Sequence, residues 1–131
     1  AVKMIQEEGV EQVFARHHDL ARRTRAALEA MGFQLFPKNC AFRSDSLTVA
    51  APPDGLDASA LVAHMRKRYH IQIGGGLGEQ AGKTIRIAHM GYCYMEDMLQ
   101  CIAVLEAAMA DLGWKEAPGA GLSAFLAGED S

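Results

Sequence analysis

The sequence predicts an α+β domain, a small and mostly antiparallel sheet with helices packed on one face. Three observations predict it. Apolar residues recur three and four apart over residues 10–31, 58–69 and 95–112, the period of an amphipathic helix. Short alternating runs at 33–36, 45–51, 70–74 and 83–89 have strand character. The 131 residues are 50% hydrophobic and 22% charged, enough apolar surface for one packed domain. That balance excludes a globally disordered chain. The most apolar helical stretch, 101–110, carries Glu106 and is too short to cross a bilayer. A net charge of -3 gives no global attraction to nucleic acid or anionic lipid.

Residues 2–8 read as a short helix, which Gly9 interrupts before a long helix over 10–31. Val13, His17, Leu20, Thr24, Leu28 and Met31 form one face of the long helix, and Gly32 supplies its stop. Residues 33–36 alternate, then Pro37 and Asn39 turn the chain. The strand at 45–51 ends at Pro52-Pro53. Asp57 is placed to cap a helix over 58–69, whose buried stripe is Leu61, Val62, Met65 and Tyr69. Strands at 70–74 and 83–89 flank Gly74, Gly75, Gly76, Gly78 and Gly82, which makes a wide, glycine-rich hairpin. The helix over 95–112 turns Met98, Ile102, Leu105 and Met109 inward and sets Glu96 and Asp97 in its first turn, where the helix dipole favours them. Gly113 ends it. The tail, 114–131, holds Pro118-Gly119-Ala120-Gly121 and a short helix near 122–127.

Several features bear on chemistry. Cys40, Cys93 and Cys101 are odd in number with no CxxC spacing, so the chain reads as reduced and cytoplasmic. The stretch 76–84 invites a Walker A reading and fails it twice. Leu77 stands where the first glycine belongs, and a strand follows Lys83-Thr84 instead of a helix. Five glycines within nine positions exceed what a turn needs. The hairpin is either a flexible tip or a place where backbone approaches a ligand. Arg86 lies mid-strand between Ile85 and Ile87 and points away from them, together with Thr84 and Ala88. In that position it is either simply solvated or a grip for a carboxylate, which a guanidinium holds through two parallel hydrogen bonds. His17, His18, His64, His70 and His89 show no metal-ligand spacing. The groups Arg22-Arg23-Arg25 and Arg66-Lys67-Arg68 read as solvated helix faces, and no aromatic residues interleave with the first to make a single-strand nucleic-acid surface. No nucleophile elbow and no HExxH motif is present.

Over nearly its whole length, and most clearly at the hairpin, the chain resembles the C-terminal small domain of class V, fold type I aminotransferases, in the alanine–glyoxylate, serine–glyoxylate and serine–pyruvate branch. The resemblance is carried by His70-Ile-Gln-Ile-Gly-Gly-Gly-Leu-Gly78, by Gly82-Lys-Thr-Ile-Arg-Ile-Ala-His-Met-Gly91, and by the stretch from Asp97 through Glu106-Ala-Ala-Met109. Ile5-Gln-Glu-Glu-Gly-Val-Glu11, Arg16-His17, Arg25-Ala-Ala-Leu-Glu-Ala-Met-Gly32 and Gly119-Ala-Gly-Leu-Ser-Ala124 agree with it.

The resemblance implies a homodimeric pyridoxal 5'-phosphate enzyme that moves an amino group from alanine or serine to glyoxylate or pyruvate. It implies that Arg86 binds the substrate carboxylate and that Gly74, Gly75, Gly76 and Gly78 line the active-site mouth. The cofactor and its Schiff-base lysine would belong to a large domain outside this chain. Lys3, Lys38, Lys67, Lys83 and Lys115 match no such motif. Ala88 stands where the family commonly has glycine. Residues 1–9 would be the remnant of the inter-domain helix and 10–131 the small domain, which accords with a chain that opens directly into a helix at Ala1-Val2-Lys3-Met4. The isolated chain is then expected to be inactive. The alternative is a free-standing ligand-binding or regulatory module. No catalytic residue, metal, nucleic-acid partner or membrane partner is expected within this chain.

Overall fold

The structure, a computed structural model, describes residues 1–116 and 118–128. Residue 117 and residues 129–131 of the expected tail lie outside the described residues. Among the described residues five α-helices and four strands follow in the order α1 (Val2–Glu8), α2 (Val10–Ala30), β1 (Gln34–Phe36), β2 (Leu47–Ala51), α3 (Ala58–Tyr69), β3 (Gly74–Gly75), β4 (Ile85–Ala88), α4 (Met95–Asp111) and α5 (Ala120–Ala127), with short 3-10 turns at Cys40–Phe42 and Gly78–Gln80. The strands form one antiparallel sheet in the order β1-β2-β4-β3.

β1, β2 and β4 bury alternate residues, so the sheet has a core face and an opposite face. Leu35 pairs with Ala50, Ala50 with Ile85, and Thr48 with Ile87. These side chains are all buried against the helices. Leu20 and Leu28 from α2 and Met31 at its C-terminal cap, Leu61 and Met65 from α3, and Met98, Ile102, Leu105 and Met109 from α4 complete the core with Phe125 of α5. The inward stripes expected for α3 and α4 are the ones that pack, and the stripe expected for α2 packs from Leu20 onward, while Val13 and His17 stay outside the core.

The helix ends have local causes. Asp57 accepts a hydrogen bond from the Ala60 N–H at 2.7 Å and starts α3. Asp97 accepts from the Tyr94 N–H at 2.9 Å and starts α4. His70 ends α3 in the left-handed conformation (φ 58°).

That cap corrects the strand expected at 70–74. The chain is still closing the helix at Ile71, whose N–H donates to the Met65 carbonyl at 3.4 Å. Sheet pairing therefore begins only at Gly74. Strand-like alternation persists in Ile71 and Ile73, which pack on the core from an unpaired segment.

The basic group on α2 is a second correction. Arg22 bonds Asp19 at 2.7 Å. Arg23 bonds Asp19 and caps α5 by donating to the Phe125 and Leu126 carbonyls, both at 3.0 Å. Arg25 is only 7% exposed and donates to the Ser44 carbonyl at 3.2 Å. Arg23 and Arg25 thus tie α2 to distant segments and are structural, whereas Arg66, Lys67 and Arg68 are exposed as expected. Thr84 also departs from expectation. It is 2% exposed, buried beneath the hairpin instead of sharing an open face with Arg86.

Candidate functional site

Arg86 is the second residue of β4 and pairs with Val49 on one side and Gly74 on the other. Ile85 and Ile87 turn into the core at 0% and 2% exposure, which leaves Arg86 half-buried on the opposite face. Phe36, Leu47, Val49 and Ala88 share that face by register and alternation. Among the described strand residues of that face, Arg86 carries the only charge. A guanidinium set in apolar surroundings attracts an anion more strongly than one surrounded by water.

The hairpin holds this side chain in place. Arg86 Nε donates to the Gly75 carbonyl at 2.7 Å. Its two terminal nitrogens bond to nothing among the described residues, so the edge of the fork that fits a carboxylate is open.

The glycines have separate reasons. A Cβ on Gly74 would lie 3.2 Å from Arg86 Nη2 and 3.3 Å from Nε, crowding the guanidinium. A Cβ on Gly76 would collide with the Gln80 carbonyl oxygen and lie 2.5 Å from Thr84 Oγ1. The Gly76 N–H also donates to the Thr84 carbonyl at 2.8 Å. Gly78 has a positive φ of 54°. Gly75 alone of the four has neither constraint, since a Cβ there would meet nothing within 4 Å.

A second cluster surrounds the turn after β4. Arg16 Nε and Nη2 hold both carboxylate oxygens of Glu8, at 2.7 and 2.9 Å. Its Nη1 donates to the carbonyls of Gly91 and Cys93, at 2.9 and 2.8 Å. The guanidinium also lies 4.6 Å from the centre of the Tyr94 ring. His17 donates from Nδ1 to the Val13 carbonyl at 2.7 Å and accepts from the Gly91 N–H at 3.0 Å. The partners of Arg16 in the turn lie 75 and 77 residues away in sequence, so helical periodicity gave no sign of them.

His89, Cys93 and Cys101 are chemically quiet. His89 is fully buried between Thr48 Oγ1 at 2.8 Å and the Asp45 carbonyl at 3.0 Å. Burial pushes its pKa down to about 4, so the ring is neutral. All three cysteines are free thiols. Burial raises the Cys93 thiol and pushes Cys101 up to about 12, which keeps both protonated and unreactive. Among the described residues no three of His, Cys, Asp and Glu converge as a metal site. Among the described residues no helix is long and apolar enough to cross a membrane.

A Schiff-base lysine needs an enclosed site that lowers its basicity. Lys3, Lys38, Lys67, Lys83 and Lys115 are all exposed. None of the five is enclosed among the described residues.

Comparison with known proteins gives a consistent set. The chain is 42% identical over 117 residues to an L-aspartate–glyoxylate aminotransferase of Paracoccus denitrificans, a match that covers 89% of this chain and 30% of that protein. It is 37% identical over 124 residues to a serine–glyoxylate aminotransferase of Methylorubrum extorquens, covering 95% of this chain and 31% of that protein. Among solved structures, the pyridoxamine–pyruvate aminotransferase of Mesorhizobium loti superposes with a TM-score of 0.89 at 35% identity, over 97% of this chain and 33% of that one. No protein-family model matches the chain. The chain spans about a third of the length of the curated relatives it matches.

Proposed function

We propose that this chain, a homologue of the small domain of class V aminotransferases, supplies the carboxylate-binding part of a longer transaminase. In that enzyme an amino group passes from alanine or serine to glyoxylate or pyruvate. Arg86 holds the substrate carboxylate, and the backbone at Gly74, Gly75, Gly76 and Gly78 borders the site. Residues 1–9 belong to the helix joining the two domains, and 10–131 are the small domain. The enzyme is a cytoplasmic homodimer, in keeping with three free thiols. Pyridoxal phosphate is held by the large domain, a reading in keeping with five lysines that are all exposed.

The observation that carries this reading is the state of Arg86. One edge of its guanidinium is fixed by the Gly75 carbonyl and the other is open. The acceptors named for the relatives, glyoxylate and pyruvate, are short 2-oxo carboxylates, whereas the donors differ. Carboxylate capture is thus the demand they share, and a fixed, forked cation meets it without regard to the donor's side chain. The Nε bond matters because it orders the side chain before substrate arrives, which lowers the entropy lost on binding.

The test is Arg86→Met and Arg86→Lys in the full-length enzyme. Removing the fork is expected to lower kcat/KM by about 2–4 kcal/mol, roughly 30- to 700-fold, chiefly through KM. Lysine keeps the charge but not the two-point geometry, and is expected to recover only part of the loss. Unchanged kinetics in Arg86→Met removes Arg86 from the site.

A further inference from the structure

We propose that Arg16 is a positioning residue. It clamps α1 to the turn after β4, and so fixes the direction in which α1 leaves the domain relative to the sheet face that bears Arg86. The inference rests on the reading of α1 as the inter-domain helix.

The geometry of α1 makes a clamp necessary. The helix buries no side chain, and Val2, Met4 and Ile5 are 69%, 47% and 41% exposed. Packing therefore does little to set its angle. The turn into α2 is made at Gly9, whose φ of 94° strains any residue with a Cβ and whose Cβ position is already occupied by the Gln12 side-chain oxygen. A glycine joint gives the turn but does not hold it rigid.

Arg16 supplies the rigidity. It sits two turns into α2 and reaches back to the last residue of α1, taking both oxygens of Glu8. The same guanidinium binds the Gly91 and Cys93 carbonyls and stacks on Tyr94. Its side chain is 16% exposed, and that of Glu8 28%. An isolated surface ion pair would contribute little. This guanidinium makes four hydrogen bonds and a ring contact from one rigid plane, so it joins three segments as a single body.

His17 pins the turn independently through Gly91. Gly91 lies five residues beyond Arg86 on the same strand exit. The clamp thus links the inter-domain helix to the end of the strand that carries the proposed carboxylate grip. A small change in the α1 angle is carried by a large domain as a displacement at the substrate, and a displacement of an ångström is costly.

The test has a structural arm and a kinetic arm. In the 131-residue chain, backbone residual dipolar couplings should fit α1 and α2 as one rigid body. In Arg16→Met the couplings of residues 2–8 should shrink towards averaging while those of α2, α3 and α4 stay unchanged. The exchanged pair Glu8→Arg with Arg16→Glu restores opposite charges but cannot donate to the Gly91 and Cys93 carbonyls, so it should not restore the couplings. In the full-length enzyme Arg16→Met should raise KM for the 2-oxo acid on the order of ten-fold with kcat changed far less, and Arg16→Lys should recover part of it.

Unchanged couplings in Arg16→Met overturn the clamp, as does their rescue by the exchanged pair. Averaged couplings with unaltered KM overturn the link to substrate binding. Failure of the underlying reading shows itself separately, as normal kinetics in Arg86→Met.

Discussion

His89 shows at the level of one residue how burial chooses a protonation state. The ring is enclosed, donates from Nδ1 to the Asp45 carbonyl and accepts the Thr48 hydroxyl, and its pKa falls from 6.5 to about 4. A depressed pKa on a base means that the unfolded chain takes up the proton first as pH falls. The stabilisation is therefore complete above pH 6.5 and is lost progressively down to about pH 4. The loss is on the order of 3 kcal/mol over that window. Urea unfolding at pH 7, 5.5 and 4.5 should show it. His89→Gln, which can donate to Asp45 and accept from Thr48 without titrating, should flatten the profile. Thr24 poses the opposite case. Its hydroxyl is buried in α2 with no hydrogen-bond partner among the described residues. Thr24→Val removes a desolvated polar group at little change in shape, and is expected to be neutral or to stabilise by about 1 kcal/mol in the same assay.

At the level of the element, the glycine-rich hairpin separates folding from function. Gly76 must be glycine for the fold, because a side chain would enter the Gln80 carbonyl and the Thr84 hydroxyl. Gly76→Ala should cost on the order of 2 kcal/mol or more and lower the melting temperature by several degrees. Gly75→Ala meets open space and should leave the melting temperature almost unaltered. If Gly75 is kept bare for substrate, Gly75→Ala will still impair the full-length enzyme, whereas normal activity would assign its bareness to chance. The hairpin was legible in sequence as two alternating runs around glycines. The exact start of β3 was not. His70 closes α3 in the left-handed conformation, and helix capping there removes residues 70–73 from sheet pairing. Alternation reports which side chains are buried, but it does not report whether the backbone between them is paired. The helices were read more faithfully, since the stripes Leu61–Met65 and Met98–Ile102–Leu105–Met109 follow a period that only a helix satisfies.

For the whole molecule, the described lysines are all exposed, and the proposed enzyme needs its cofactor from outside this chain. Pyridoxal phosphate added to the 131-residue chain should therefore give no lysine-bound absorption band that survives gel filtration. A stable, stoichiometric band would refute that division of labour. The α+β class, the helix stripes, the inward turn of Ile85 and Ile87 with Arg86 facing the other way, and the resemblance to aminotransferase small domains could all be read in the amino-acid order, although Thr84 could not. These readings rest on local periodicity or on residues adjacent in sequence. What the arginines do came from long-range packing alone. Arg16 and Arg23 find their partners on segments 75 to 103 residues away, and Arg25 is buried against a loop 19 residues on. A guanidinium on a helix looks solvated until the chain brings carbonyl groups to it. Its long side chain and five donors let it bond to whatever arrives, and no spacing in the sequence encodes that arrival.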